Sequence, residues 1–134
     1  MIICDYQHYY QQEVIQNISI QAKKAGFNVA VFNFVSRTGY ERKNQIGNFS
    51  LLNLIPYDNL ELLFLSLDTF QKSQEQEVYG IIREKVTCPI ISIRRYLSET
   101  YNVLFDSRDS FHELIKHLYE KHNYRRIAFL NGPR

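Results

Sequence analysis

Short apolar runs alternate with amphipathic stretches along the whole chain, and this alternation constrains the fold more than any other feature of the sequence. The apolar runs have the length of buried strands, and the amphipathic stretches carry apolar residues at helical spacing. Strands that alternate with helices form βαβ units, whose right-handed crossovers place helices on both faces of a sheet. The sequence therefore predicts an α/β fold, a three-layer αβα arrangement with a mainly parallel, doubly wound sheet.

The element boundaries follow from turn residues between these runs. Val14, Ile18, Ala22 and Ala25 predict the buried face of the first helix, and Gly26 predicts its end. We predict strands at 1–4, 27–35, 60–67, 89–93, 102–105 and 126–130, and helices at 9–25, 40–54, 71–85 and 107–122.

Ligands of doubly wound sheets bind beyond the carboxyl ends of the strands, so the loops there are the expected site. Arginine there can donate two hydrogen bonds to a carboxylate, a phosphate or a sugar diol. Because successive residues at a strand end point opposite ways, at most one of Arg94 and Arg95 is expected to face the site. The candidates from this topology are Asp5, Tyr9, Ser36, Arg37, Ser66, Asp68, Arg94 and Arg95.

Composition narrows the class of protein. The 134 residues suit one domain, with 45% hydrophobic and 22% charged residues. The net charge of +2 is too small to indicate nucleic-acid binding. Cys4 and Cys88 resemble small core residues, which predicts a reducing, cytoplasmic setting. No run is long and apolar enough for a membrane span, and no signal peptide is recognised.

Motifs for enzymatic chemistry are missing from the sequence. No GxSxG, GxGxxG or P-loop pattern occurs. Successive histidines among His112, His117 and His122 are five residues apart, which does not match the i, i+4 spacing of helical metal ligands. We therefore expect no catalytic residues, no metal site and no cofactor.

The last third of the chain carries a resemblance to a known family. PIISIRR at 89–95 is similar to the strand Pro-hydrophobic-hydrophobic-x-Ile-Asp-Arg of LacI/GalR-type regulators. The segment 122–133, HNYRRIAFLNGP, resembles their Gly-His-Arg-Arg-Ile-Ala-Phe-Ile and Gly-Pro pattern. Departures are Arg94 for Asp, Ser107 for Asn and Asn123-Tyr124 for Gly-His. The chain looks like an effector-binding sensor lobe of the periplasmic-binding-protein type I fold. The blocks at 30–34 and 51–70 resemble sensors that are fused either to GGDEF diguanylate cyclases or to DNA-binding domains.

This resemblance implies a function without catalysis. Residues 1–106 would form the first lobe, and 107–134 would begin a second lobe that packs on the first or is exchanged between two chains. It implies that one of Tyr9 and Tyr10, at the start of the first helix, is a ring-stacking aromatic, and it adds Tyr10 and Asp106, which lies at the crossing between lobes, to the candidates. The expected ligand is a small polar molecule such as a sugar or a nucleoside. A homodimer through the first two helices is expected, with no direct nucleic-acid or membrane contact.

Two alternatives from different classes stay open. Asp5 and Asp68 end strands one and three, roughly where a receiver domain keeps its acidic pocket and its phosphorylated aspartate. However, such a domain has paired acids after strand one and a lysine after strand five. The other alternative is a flavodoxin-like interaction or dimerisation module without a ligand.

Overall fold

A computed structural model of the chain describes residues 1–6, 9–34, 47 and 49–130. These residues form a five-stranded parallel sheet in the order β2-β1-β3-β4-β5. The strands are β1 (Ile2–Cys4), β2 (Val31–Asn33), β3 (Leu63–Leu65), β4 (Ile90–Ile93) and β5 (Tyr101–Val103). The helices are α1 (Tyr9–Lys24), α2 (described as helical at 49–52), α3 (Lys72–Lys85) and α4 (Arg108–Glu120), and a 3-10 helix spans Tyr57–Asn59. The predicted α/β fold is confirmed.

The alternation of side chains along β1 and β3 builds two separate cores. On one face, Ile3 packs with Leu63 and Leu65 in a cluster that also contains Leu52 of α2 and Ile82 of α3. Apolar residues on both faces of a strand require cover on both sides.

The opposite face of the sheet is covered by α1. Ile2 and Cys4 point to this side and form a second cluster with Ile15. The two clusters give the three layers: α2 and α3 on one face of the sheet, and α1 on the other.

The buried face of α1 agrees with the predicted one only in part. Gln11 and Ile15 are buried, whereas Val14 is only half-buried. Ile18 of the predicted face is half-buried and packs against the cluster of Ile2, Cys4 and Ile15. Val14 and Ile15 are adjacent, so the apolar residues of this helix are compatible with two faces about 100° apart. Packing against Ile2 and Cys4 selects the face that contains Ile15.

Two helices end in a left-handed residue, as the sequence indicates for the first. Gly26 has a φ of 85°, and the N–H of Phe27 donates to the carbonyl of Ala22 at 2.9 Å. After α4, Asn123 takes a φ of 55°, which asparagine tolerates better than most residues. Both ends satisfy carbonyls that the helix leaves without partners.

The predicted strand at 126–130 is wrong. These residues have no strand structure, and each of them is exposed. Their apolar and β-branched composition favours a strand, but a strand exists only where a neighbouring strand accepts and donates its hydrogen bonds. The remaining strands are shorter than predicted, because the ends of the apolar runs extend beyond the hydrogen-bonded ladders.

The chain divides into two compact units, Met1–Leu104 and Phe105–Arg134. The first contains the sheet with α1, α2 and α3. In the second, α4 presents an apolar stripe that includes Phe111 and Leu114, and no described residue of this unit is buried. The assignment of residues 107–134 to a second lobe stays a prediction. None of the described helices combines the length and the hydropathy that crossing a membrane requires.

Candidate functional site

The strand order places a crevice between β1 and β3. The chain leaves β1 through α1 toward β2 and leaves β3 through α3 toward β4, so the two connections diverge from neighbouring strands. A sheet of this order binds its ligands at such a switch point, beyond the carboxyl ends of the two central strands. A ligand site is therefore expected at the loops after β1 and β3.

Gln11 joins these two loops from the first turn of α1. Its side chain is fully buried, and its Oε1 accepts a hydrogen bond from the N–H of Asp5 at 2.6 Å. Its Nε2 donates to Oδ1 of Asp68 at 2.9 Å and to Oγ1 of Thr69 at 3.2 Å. Gln11 thus holds the end of β1 at a fixed position relative to the loop after β3. Sequence reasoning did not single out this residue.

Asp68 pairs with a cation from a third loop. The hydroxyl of Ser66 donates to Oδ1 of Asp68 at 3.3 Å, and Nη1 of Arg94 lies 3.3 Å from Oδ2. The guanidinium of Arg94 also lies over the ring of Tyr10, 4.5 Å from its centroid. We call Tyr10, Gln11, Asp68 and Arg94 the switch-point cluster. It combines an aromatic ring, a buried amide and an ion pair at the edge where ligands bind.

The loop between β4 and β5 fixes the backbone around Arg94. The N–H of Arg94 donates to the carbonyl of Val103 at 2.8 Å, although its φ of 64° is unfavourable for a residue with a side chain. Asn102 stabilises the same loop, since its Oδ1 accepts from the N–H of Leu97 and its Nδ2 donates to the carbonyls of Leu97 and Thr100. From this loop the guanidinium of Arg94 reaches Asp68.

The two neighbouring arginines have different partners. Nε of Arg95 lies 3.0 Å from Oε2 of Glu75 on α3, an ion pair without hydrogen-bond geometry. The hydroxyl of Ser92 donates to the carbonyl of Arg95 at 2.7 Å. Arg94 and Arg95 therefore diverge, as the alternation of side chains predicts, and only Arg94 joins the switch-point cluster.

The other sequence-predicted residues lie in several places. Asp5 is fully buried beside Gln11, and Tyr9 is 75% exposed at the start of α1. Asp106 belongs to the second unit, where its Oδ1 accepts from the N–H of Arg108 at 3.0 Å. Ser36 and Arg37 lie outside the described residues.

His117 and His122 lie close together although they do not share a helical face. The Nε2 atoms of His117 and His122 lie 3.1 Å apart, because His122 follows the end of α4 and folds back toward the last turn. Both are exposed, and no group of three or more metal-binding side chains occurs among the described residues. The pair alone would leave a metal ion largely coordinated by water.

The Cys4 thiol is poorly suited to act as a nucleophile. Burial, with a smaller contribution from the charge of Asp5, raises its pKa to about 12. The thiol therefore remains protonated at neutral pH, and the thiolate is the reactive form. Cys4 belongs to the apolar cluster beneath α1, which matches its predicted place in the core.

A shallow groove lies apart from the switch-point cluster. Its volume is about 550 Å³, and Ile15, Gln16 and Ser19 of α1 line it together with Tyr6 and Val31. The lining is mostly apolar and includes no ion pair, so the groove offers little to orient a polar ligand.

Comparisons with protein-family models, with curated proteins and with solved structures gave no match for this chain.

Proposed function

We propose that this chain is a ligand-binding sensor of the LacI/GalR-like type, in which the switch-point cluster contacts a small polar effector. The output would be a DNA-binding or signalling domain of a bacterial, cytoplasmic regulator. The observation that carries the proposal is the position of Tyr10, Gln11, Asp68 and Arg94 at the reversal of strand order. A small number of polar groups beside an aromatic ring is typical of sites that bind and orient small ligands.

Signalling requires that the effector favour one conformation of the protein over another. An effector that binds one arrangement more tightly shifts the population toward it, and an attached domain responds to that shift. The first turn of α1 and the loops after β3 and β4 supply the contacts in the first unit. Because these three segments meet in the cluster, a ligand that moves one of them also changes the contacts of the other two.

The test is a thermal-shift screen of the chain with sugars, sugar phosphates, nucleosides, nucleotides and amino acids. A ligand at about 100 times its Kd adds about 2.7 kcal/mol of stability, which is a clear shift in Tm. Tyr10→Leu should reduce the affinity for any hit by on the order of tenfold, since it removes the ring beneath Arg94.

Tyr119→Leu is the matched control. Tyr119 also lies beneath an arginine, with the guanidinium of Arg125 at 4.0 Å from its ring centroid, but it belongs to the second unit. Loss of ligand binding in both variants, or in neither, would contradict the assignment of the site. A folded chain that responds to no ligand would instead favour an interaction or dimerisation module.

A receiver-like phosphoacceptor is the second candidate, because this strand order is also that of receiver domains. Asp5 follows β1 and is buried, and Asp68 follows β3 with a side chain that is 13% exposed. In this reading Asp68 would accept the phosphoryl group. Stabilisation by beryllofluoride with Mg²⁺, lost in Asp68→Asn, would favour the receiver over the effector sensor.

A further inference from the structure

The ion pair between Arg94 and Asp68 is weakly engaged. Charge-assisted hydrogen bonds between nitrogen and oxygen are about 2.7–2.9 Å long, and arginine often grips a carboxylate with two nitrogens. Here the contact joins Nη1 and Oδ2 at 3.3 Å. A pair of this geometry can be opened by a better partner for the guanidinium.

The two members of the pair differ in their exposure to solvent. Asp68 is 13% exposed at its side chain, and its Oδ1 accepts hydrogen bonds from Gln11 and Ser66. Arg94 is 40% exposed at its side chain and lies over the ring of Tyr10. The carboxylate is therefore the more buried member of the pair, and the guanidinium is the member more exposed to a ligand from solvent.

The backbone conformation of Arg94 also supports a role in ligand binding. Its φ of 64° is rare for a residue with a side chain, and such conformations concentrate at ligand sites. The neighbouring Arg95 has no positive φ and pairs with Glu75 instead. Among the arginines that the structure describes, the one that contacts Asp68 is thus also the one with a positive φ.

We infer that the effector carries an anionic group, a carboxylate or a phosphate, which binds Arg94 and replaces Asp68 as its counter-ion. This inference rests on the proposed function and specifies the chemical class of its ligand. The anionic group would stay close to Asp68, so the two negative charges repel each other. Removing the charge of Asp68 should therefore strengthen the binding of an anion. The same change should weaken the binding of a neutral polyol whose hydroxyl groups donate hydrogen bonds to the Asp68 carboxylate.

The test compares ligands that differ only in the anionic group. The probes are glucose with glucose 6-phosphate, adenosine with adenosine monophosphate, and, for the carboxylate class, succinamide with succinate. Binding to the full chain is measured by thermal shift and then by calorimetry. We expect the anionic member of at least one pair to bind at least about tenfold more tightly than its neutral partner, because the ionic hydrogen bond is the stronger one.

Three variants then test the two residues. Arg94→Gln should raise the Kd of the anionic probe by on the order of tenfold or more, and Arg95→Gln, the matched control, should change it less than about twofold. Asp68→Asn should lower that Kd several-fold. Circular dichroism of each variant shows whether it remains folded.

The outcomes separate this inference from the proposed function. If the neutral probe binds as tightly as its anionic partner in every pair that binds, the inference is overturned and the sensor function stands. Weaker anion binding in Asp68→Asn, or equal effects of Arg94→Gln and Arg95→Gln in folded variants, also overturns it. If no probe of either charge binds, both the inference and the sensor function are rejected.

Discussion

At the scale of single residues, the uncharged Gln11 connects the loops on both sides of the switch point. It is fully buried and makes three hydrogen bonds to the loops after β1 and β3. Gln11→Ala removes all three of these hydrogen bonds from a buried position, and the loss of hydrogen-bond partners at such a position costs about 1–3 kcal/mol. We expect the free energy of unfolding, measured by urea titration, to fall by that amount.

Gln12→Ala is the control for this substitution. Gln12 is the next residue of α1, and its Nε2 donates to the carbonyl of Tyr6 at the surface. Its removal should change the free energy of unfolding by less than about 0.5 kcal/mol. If the two substitutions change the free energy of unfolding equally, the hydrogen bonds of Gln11 add no stability, and both changes reflect only the replacement of glutamine by alanine in a helix.

The candidate site was partly predictable from these residues. Asp68 and Arg94 follow β3 and β4, so the topology alone selects them, and the structure brings them together. Gln11 was missed because a polar residue in a helix is normally assigned to the solvent face. The available signal was its spacing, since Gln11 precedes the buried Ile15 by one helical turn.

At the scale of elements, a glycine inside α3 lowers the stability of this helix, and alanine should restore it. Gly80 lies on the exposed side of this helix, and a Cβ atom at this position would meet no other atom within 4 Å. Glycine inside a helix costs roughly 0.5–1 kcal/mol relative to alanine, because the unfolded chain loses more freedom on folding. Gly80→Ala should therefore raise the free energy of unfolding by that amount in urea titration.

Gly26 provides the opposite case. A Cβ atom there would also meet open space, but the φ of +85° belongs to the left-handed region that side chains disfavour. Gly26→Ala should lower the free energy of unfolding by about 1–2 kcal/mol. If both substitutions shift stability in the same direction, backbone conformation is not what distinguishes these two glycines.

The elements themselves were predicted well where burial decides the structure. The two central strands, β1 and β3, carry apolar residues on both faces. A strand with this pattern is stable only when other elements cover both of its faces, so the pattern predicts a central strand of a layered sheet. Failure came at 126–130, where the pattern resembles a strand but the described residues supply no partner. A sequence pattern reports how well a segment suits a sheet, and a hydrogen-bonded neighbour is a separate requirement.

At the scale of the whole molecule, the second unit exposes a continuous apolar surface. Phe111 and Leu114 of α4 are 47% and 51% exposed, Phe129 is 68% exposed, and the rings of Phe111 and Phe129 meet edge to face at 5.7 Å. Large exposed apolar patches mark surfaces where proteins associate. We expect the chain to self-associate through residues 105–130 as its concentration rises, in a sedimentation-velocity series.

Leu114→Glu tests whether this surface drives the association. Burying a leucine contributes about 1.5–3 kcal/mol, so a charge at its centre should raise the dissociation constant at least about tenfold. Leu54→Glu is the matched control, since Leu54 is 70% exposed but lies in the first unit. If Leu54→Glu weakens the association and Leu114→Glu does not, the chains meet through the first unit, as the resemblance to dimeric regulators implies. A monomer at every concentration would mean that no second copy covers either surface. In that case α4 should exchange its amide hydrogens faster than α3, because no residue of α4 is buried whereas Val78 and Ile82 of α3 are.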